Sequence, residues 1–141
     1  MAADRLRVVL DTNIVISSLW GGHPAKIMDY WKTGSFELLI TDPILKEYLA
    51  VLARFRLSDA ELQEHGLLFL DSPFATLVHP HETITAISAD ATDNRFLECA
   101  AKGRAGYIVS GDHHLLALKR FRGVPIVNAR AFLGAMDKQI P

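Results

Sequence analysis

RVVLDTNIVISSL, residues 7–19, decides how the rest of the chain is read. A compact β-branched and apolar run that stops at Asp11 predicts a short buried strand over Arg7 to Leu10. The spacing then changes to that of helices, about Thr12 to Leu19 and Pro24 to Lys32, parted by Gly21 and Gly22. Working outward, Glu37 to Ile40 repeats the strand pattern. Thr41-Asp42-Pro43 opens a helix to about Arg54, with a cap followed by proline in the first turn. Ser58 with Glu61 forms a predicted capping box for a helix to Leu70. Ala75 to His79 is a third strand between Pro73 and Pro80, followed by a helix from Thr92 to Lys102 that Gly103 should stop. Tyr107 to Ser110 is a strand, Leu115 to Leu118 a short helix, Pro125 to Asn128 a last strand and Arg130 to Asp137 a terminal helix. Strands alternating with helices predict an α/β fold of three layers, α/β/α, around a central, mainly parallel sheet. With no internal repeat or linker, residues 1–141 read as a single domain.

Half of the 141 residues are apolar and 22% are charged, enough for one self-sufficient core and unlike a disordered chain. The apolar run near the N-terminus is too short for a signal peptide or membrane span, which leads us to expect a cytoplasmic protein. The single cysteine, Cys99, leaves no internal disulfide and no zinc-type cysteine pair, and its place on the inward side of its helix makes it a small core residue. Sixteen acids against 15 lysines and arginines give a formal charge of −1. Setting aside four acids that the pattern singles out leaves about +3 on the rest of the surface, compatible with a nucleic-acid partner.

Those four are Asp11, Glu47, Asp93 and Asp112. Asp11 follows the first strand directly and Asp112 lies two residues after Tyr107-Ile108-Val109-Ser110, so both fall where open parallel sheets bind ligands. Either one alone is read more simply as a helix cap or a turn residue. Asp93 is more informative. Phe96, Leu97, Ala100 and Ala101 follow it by three, four, seven and eight residues, which puts the carboxylate on the core-facing stripe of its helix. Burying it there calls for a positive partner. Glu47 sits at the edge of the stripe made by Ile44, Leu45, Tyr48, Leu49, Leu52 and Phe55, able either to reach a cleft or to extend to water. Four carboxylates in one cleft would repel one another unless cations shared the site, and hard oxygen donors select Mg²⁺ or Mn²⁺. Such ions acidify water and neutralise a phosphodiester, which points to phosphodiester hydrolysis.

VVLDTNIVISSL, the Glu47 helix, DATDNRFLECA (90–100), YIVSGDHHLLAL (107–118) and PIVNARAFL (125–133), in that order, resemble the PIN-domain nucleases. The likeness is to the branch of toxins from prokaryotic toxin-antitoxin pairs, and it spans almost the whole chain. It implies a Mg²⁺- or Mn²⁺-dependent endoribonuclease, commonly a homodimer, that acts on RNA and is inhibited by a cognate antitoxin. On that resemblance Asp11, Glu47, Asp93 and Asp112 are the catalytic, metal-holding acids. Asn13 and Ser110 match positions that support them by orienting carboxylates or waters. The stretch Asp90-Ala91-Thr92-Asp93 departs from the family's usual spacing of acids before Asn-x-x-Leu. Asp90 either assists the metal or caps the helix, and the cap is favoured.

Other residues admit simpler readings. His113 and His114 after Asp112, and His79 and His81 around Pro80, invite a histidine metal site, but adjacent side chains usually diverge and Mg²⁺ prefers oxygen. Trp20, Tyr30 and Trp31 read as packing residues before base-stacking ones. Lys26, Lys32, Lys46, Arg54 and Arg56 are either phosphate contacts or solvated charges. Two other classes remain open: a signalling receiver domain phosphorylated on an aspartate, which should carry paired acids after its first strand and a lysine after a late one, and a catalytically inert interaction module of the same fold. A nuclease of that fold acting on DNA would share the site.

Overall fold

A computed structural model describes residues 5–55, 58–87 and 91–139. Strand β1 (Leu6–Leu10) occupies the middle of the sheet, and its Val8, Val9 and Leu10 are wholly buried because helices cover both faces. The chain continues through α1 (Thr12–Ser17), a 3₁₀ turn (Ser18–Trp20) and α2 (Gly22–Lys32). Gly21 at φ 86° and Gly22 at φ 72° make the break between the helices, a backbone shape that a side chain would oppose. Next come β2 (Phe36–Ile40), α3 (Asp42–Ala53), α4 (Asp59–Asp71) and β3 (Ala75–Leu77). Thr41 caps α3 by accepting the Ile44 N–H, and the Ser58 and Glu61 box opens α4. A 3₁₀ turn (Ala91–Asp93) leads into α5 (Asn94–Gly103), then β4 (Tyr107–Val109), α6 (His113–Leu118), β5 (Arg120–Phe121), β6 (Val124–Val127) and α7 (Ala129–Gln139).

The described strands form one sheet in the order β3-β2-β1-β4-β6-β5, parallel except for β5. Leaving β1 the chain moves toward β2, and leaving β4 it moves toward β6. The crevice between the ends of β1 and β4 is therefore a topological switch point, where such sheets bind ligands. Alternation along β2 assigns the layers. Phe36 meets Phe132 of α7 edge to face at 5.5 Å, whereas Leu39 points oppositely, toward the end of α5. Helices α2 and α7 pack together on the Phe36 face, and α5 covers the other. The expected three-layer α/β/α architecture is the one observed.

Three details differ from the sequence reading. Gly103 does not terminate α5. Arg104 does, in the left-handed region at φ 57°, while Gly103 is the last helical residue because a Cβ there would lie 2.7 Å from Leu39 Cδ1. Phe55 is not part of the α3 stripe: the helix ends at Ala53, and the ring is 44% exposed with its edge against Trp20. Strand β5 was unforeseen, being two residues long and joined to β6 through Arg122 and Gly123, both at positive φ as a primed hairpin turn requires.

Candidate active site

Asp11 ends β1 at the switch point. Its amide continues the sheet by donating to Val109 O at 3.0 Å, and its side chain caps α1 by accepting the Ile14 N–H at 3.0 Å. The cap accounts for one carboxylate oxygen; the other accepts the Ser110 hydroxyl. Ser110, wholly buried, in turn accepts the Asp112 amide at 2.9 Å. One hydroxyl thereby ties together the two acids at the ends of neighbouring strands. Burial raises the Asp11 carboxyl above its ordinary value, and the Asp112 charge adds to the rise, while the bonds from Ser110 and Ile14 partly offset it.

Asp112 caps α6 by accepting the His114 N–H at 2.7 Å. The turn also brings His113 and His114 together, with ring centroids 4.0 Å apart, contrary to the expected divergence of adjacent side chains. Donor atoms of Asp112, His113 and His114 lie within 4.8 Å of one another. Glu47 is half-buried on α3 and accepts the Thr12 hydroxyl, which anchors it to the residue following Asp11. Tyr48, fully buried beside it, donates to Leu10 O at 2.5 Å and pins α3 to the end of β1. Burial drives the Tyr48 hydroxyl well above its ordinary value, with smaller contributions from Cys99, Asp11 and Glu47. The influence of both Asp11 and Glu47 on one phenol places the two acids in its neighbourhood.

Asp93 is 7% exposed at the entry to α5, the helix that packs on β1, β2 and α3, and the inward position deduced from spacing is the one it occupies. Asn94, next to it, pins the preceding loop by donating to Ile87 O at 2.7 Å and accepting the Ile87 N–H at 2.9 Å. Asn13 is exposed in the first turn of α1. Asp90 and Arg56 lie outside the described residues. Among the remaining candidates, Trp31 is buried and stacked on Phe69, Tyr30 hydrogen-bonds Asp137, and Trp20 is 65% exposed. Cys99 is buried, its thiol pushed up to about 12 by desolvation, so it is a core residue.

Thr12 and Tyr48 were missed as site residues. The signal for Thr12 was available, a hydroxyl between two candidate polar residues at the start of a buried helix. Tyr48 was hidden in the apolar stripe of α3, where its ring and its hydroxyl serve different ends. Ser110 joins Asp11 to Asp112 and Thr12 holds Glu47, whereas the one group of three metal-capable donors among the described residues is Asp112, His113 and His114. A buried Asp11 whose charge is opposed by burial and by Asp112 is the kind of group that a hard divalent cation relieves, so this pair of acids fits such an ion.

No helix among the described residues is long and apolar enough to cross a membrane. None of the curated proteins compared with the sequence matches it significantly. Among solved structures, PAE2754 from Pyrobaculum aerophilum is similar, with a TM-score of 0.60 and 17% identity over 96% of this chain and 91% of that one, a likeness of fold. The PIN domain family model matches residues 7–114, which include Asp11, Glu47, Asp93 and Asp112. Domains of this family are generally nucleases that use divalent metals, which sets aside the receiver-domain alternative. From its first strand to the turn beyond its fourth, this chain belongs to the PIN domain family.

Proposed function

We infer that the protein is an endoribonuclease dependent on Mg²⁺, with Mn²⁺ as a substitute, and that it is the toxin of a cytoplasmic toxin-antitoxin pair. The observation that carries the enzymatic reading is the Asp11–Ser110–Asp112 linkage at the switch point of a PIN fold. Asp11, Glu47, Asp93 and Asp112 would hold the metal, which when bound supplies an acidified water and neutralises charge on the scissile phosphodiester. The chain's own groups prepare that site. Ser110 fixes the Asp11 carboxylate and the Asp112 backbone, Thr12 holds Glu47, and Tyr48 sets α3 against the end of β1. Carboxylates held in advance lose little freedom when the cation arrives. The toxin role, the antitoxin and a homodimer rest on the resemblance of the sequence motifs to toxin-type PIN nucleases.

The test is a purified-protein assay on total RNA with Mg²⁺, with Mn²⁺ and with EDTA, beside an Asp93→Asn variant. Cleavage should need the metal, leave 5′-phosphate and 3′-hydroxyl ends, and fall by orders of magnitude in the variant. Products ending in 2′,3′-cyclic phosphate, or cleavage that persists in EDTA, would refute the mechanism. Mn²⁺ titration distinguishes the inert module, which would show no uptake or uptake indifferent to Asp11→Asn. For the toxin role, induced expression should arrest growth, and co-expression of a cognate antitoxin should restore it.

A further inference from the structure

A cavity of about 680 Å³ runs between α2 and α7, and Asp11, Glu47, Asp93 and Asp112 are not among the residues that line it. The two helices present matching stripes to it: His23, Lys26 and Tyr30 from one, Arg130, Leu133 and Gly134 from the other, each at three- and four-residue spacing. Its charges are separated along its length. His23 and Arg130 belong to the first turns of their helices and Lys26 begins the second turn of α2, and among the described residues they take part in no ion pair or side-chain hydrogen bond. Asp29 and Asp137 lie further along, with Tyr30 donating to Asp137. The basic end faces the catalytic end of the sheet. Arg130 is three residues beyond Val127, whose carbonyl accepts the Ser110 amide at 2.9 Å.

We propose that this groove binds one nucleotide of the RNA strand next to the scissile bond, its phosphate at His23, Lys26 and Arg130. The inference rests on the ribonuclease reading for the identity of the strand. A volume of this size is in the range of small-molecule sites, roughly 300–1,000 Å³, and holds a nucleoside with room for water. Tyr30 and Leu133 offer an apolar wall for a base or sugar. Gly134 leaves the floor open, since a Cβ there would have no neighbour within 4 Å. The carboxylates of Asp29 and Asp137 offer acceptor oxygens, so they suit the amino group of a base or a ribose hydroxyl and repel a second phosphate. The groove therefore takes a single unit and turns the strand away, whereas a long basic track would have followed it.

The experiment measures binding of a labelled single-stranded RNA to the full chain in EDTA, where cleavage is off, by fluorescence anisotropy over a range of salt. Three variants are compared: Lys26→Ala with Arg130→Ala, Gly134→Leu, and Lys102→Ala on α5 as control. The double variant should bind about tenfold more weakly with a salt slope lower by about 1 to 2. Gly134→Leu, which fills the floor without changing charge, should weaken binding with little change in slope, and 5′-AMP should compete in the unaltered protein. Thermal melts of the variants should match that of the parent, and Gly134→Met, long enough to enter the groove and unbranched, serves should leucine disturb the fold. Binding that survives both groove changes overturns the proposal, as does loss in the double variant alone, which would mean diffuse attraction with an empty groove. Groove-dependent binding without metal-dependent cleavage would sink the nuclease reading and leave the site standing. Cleavage with groove-independent binding would do the reverse.

Discussion

Ser110 donates to Asp11 and accepts from the Asp112 amide, so Ser110→Ala removes the shared hydroxyl and leaves that amide without its acceptor. Loss of such a support typically weakens a metal site by about 10- to 100-fold, and calorimetric titration with Mn²⁺ should show a drop in that range with a stability cost of about 1–3 kcal/mol. Asp11 itself bears on pH. Its folded value is raised, so the native state keeps this proton more readily than the unfolded chain does. Its contribution to stability is most favourable at acid pH and declines as pH rises from the ordinary carboxylate value through the raised one. In EDTA, the melting temperature of Asp11→Asn relative to the parent should therefore increase as pH rises from the ordinary carboxylate range through the raised value. A relative value that stays flat would show that burial does not oppose the charge. At this scale the sequence was informative where periodicity acts: the inward position of Asp93 followed from four apolar residues on its own helix. The hydroxyl contacts of Ser110 and Thr12 were not legible, because they join residues on different strands and helices whose approach no local pattern encodes.

Helix α5 shows how an element can be found correctly and its ending misread. Glycine after a helix usually supplies a left-handed residue, yet Gly103 is there for closeness to Leu39 and Val78, and Arg104 takes the left-handed shape one position later. The two roles separate in stability measurements. Gly103→Ala should destabilise by about 1–3 kcal/mol by forcing α5 off the sheet, whereas Arg104→Gly should stabilise by about 1 kcal/mol in denaturant titration. Equal responses would contradict the division. The major strands and helices were readable since each is long enough for its own periodicity and punctuation. Strand β5 was not, because two residues carry no period, and the Arg122-Gly123 turn lacks the asparagine or aspartate that usually marks such a hairpin.

On the scale of the molecule, a cation that binds the folded pocket and not the unfolded chain raises stability by mass action, about 2.7 kcal/mol at one hundred times the dissociation constant. Addition of Mn²⁺ should lift the melting temperature by several degrees, roughly 2–8 °C for each kcal/mol in domains of comparable size. Asp11→Asn should abolish the increment. An equal rise in that variant would place the cation elsewhere. The order of the strands has a further consequence, for the timing of synthesis. β1 has its first partner, β2, shortly after it in the chain, but its other neighbour, β4, supplies Ser110 to Asp11 across 99 positions. A nascent polypeptide still lacking its final third has Asp11 and Glu47 but neither the hydroxyl nor the aspartate that completes their surroundings. The pocket matures late, when a ribosome has already released most of the molecule, so a truncated translation product lacks the Ser110 linkage altogether.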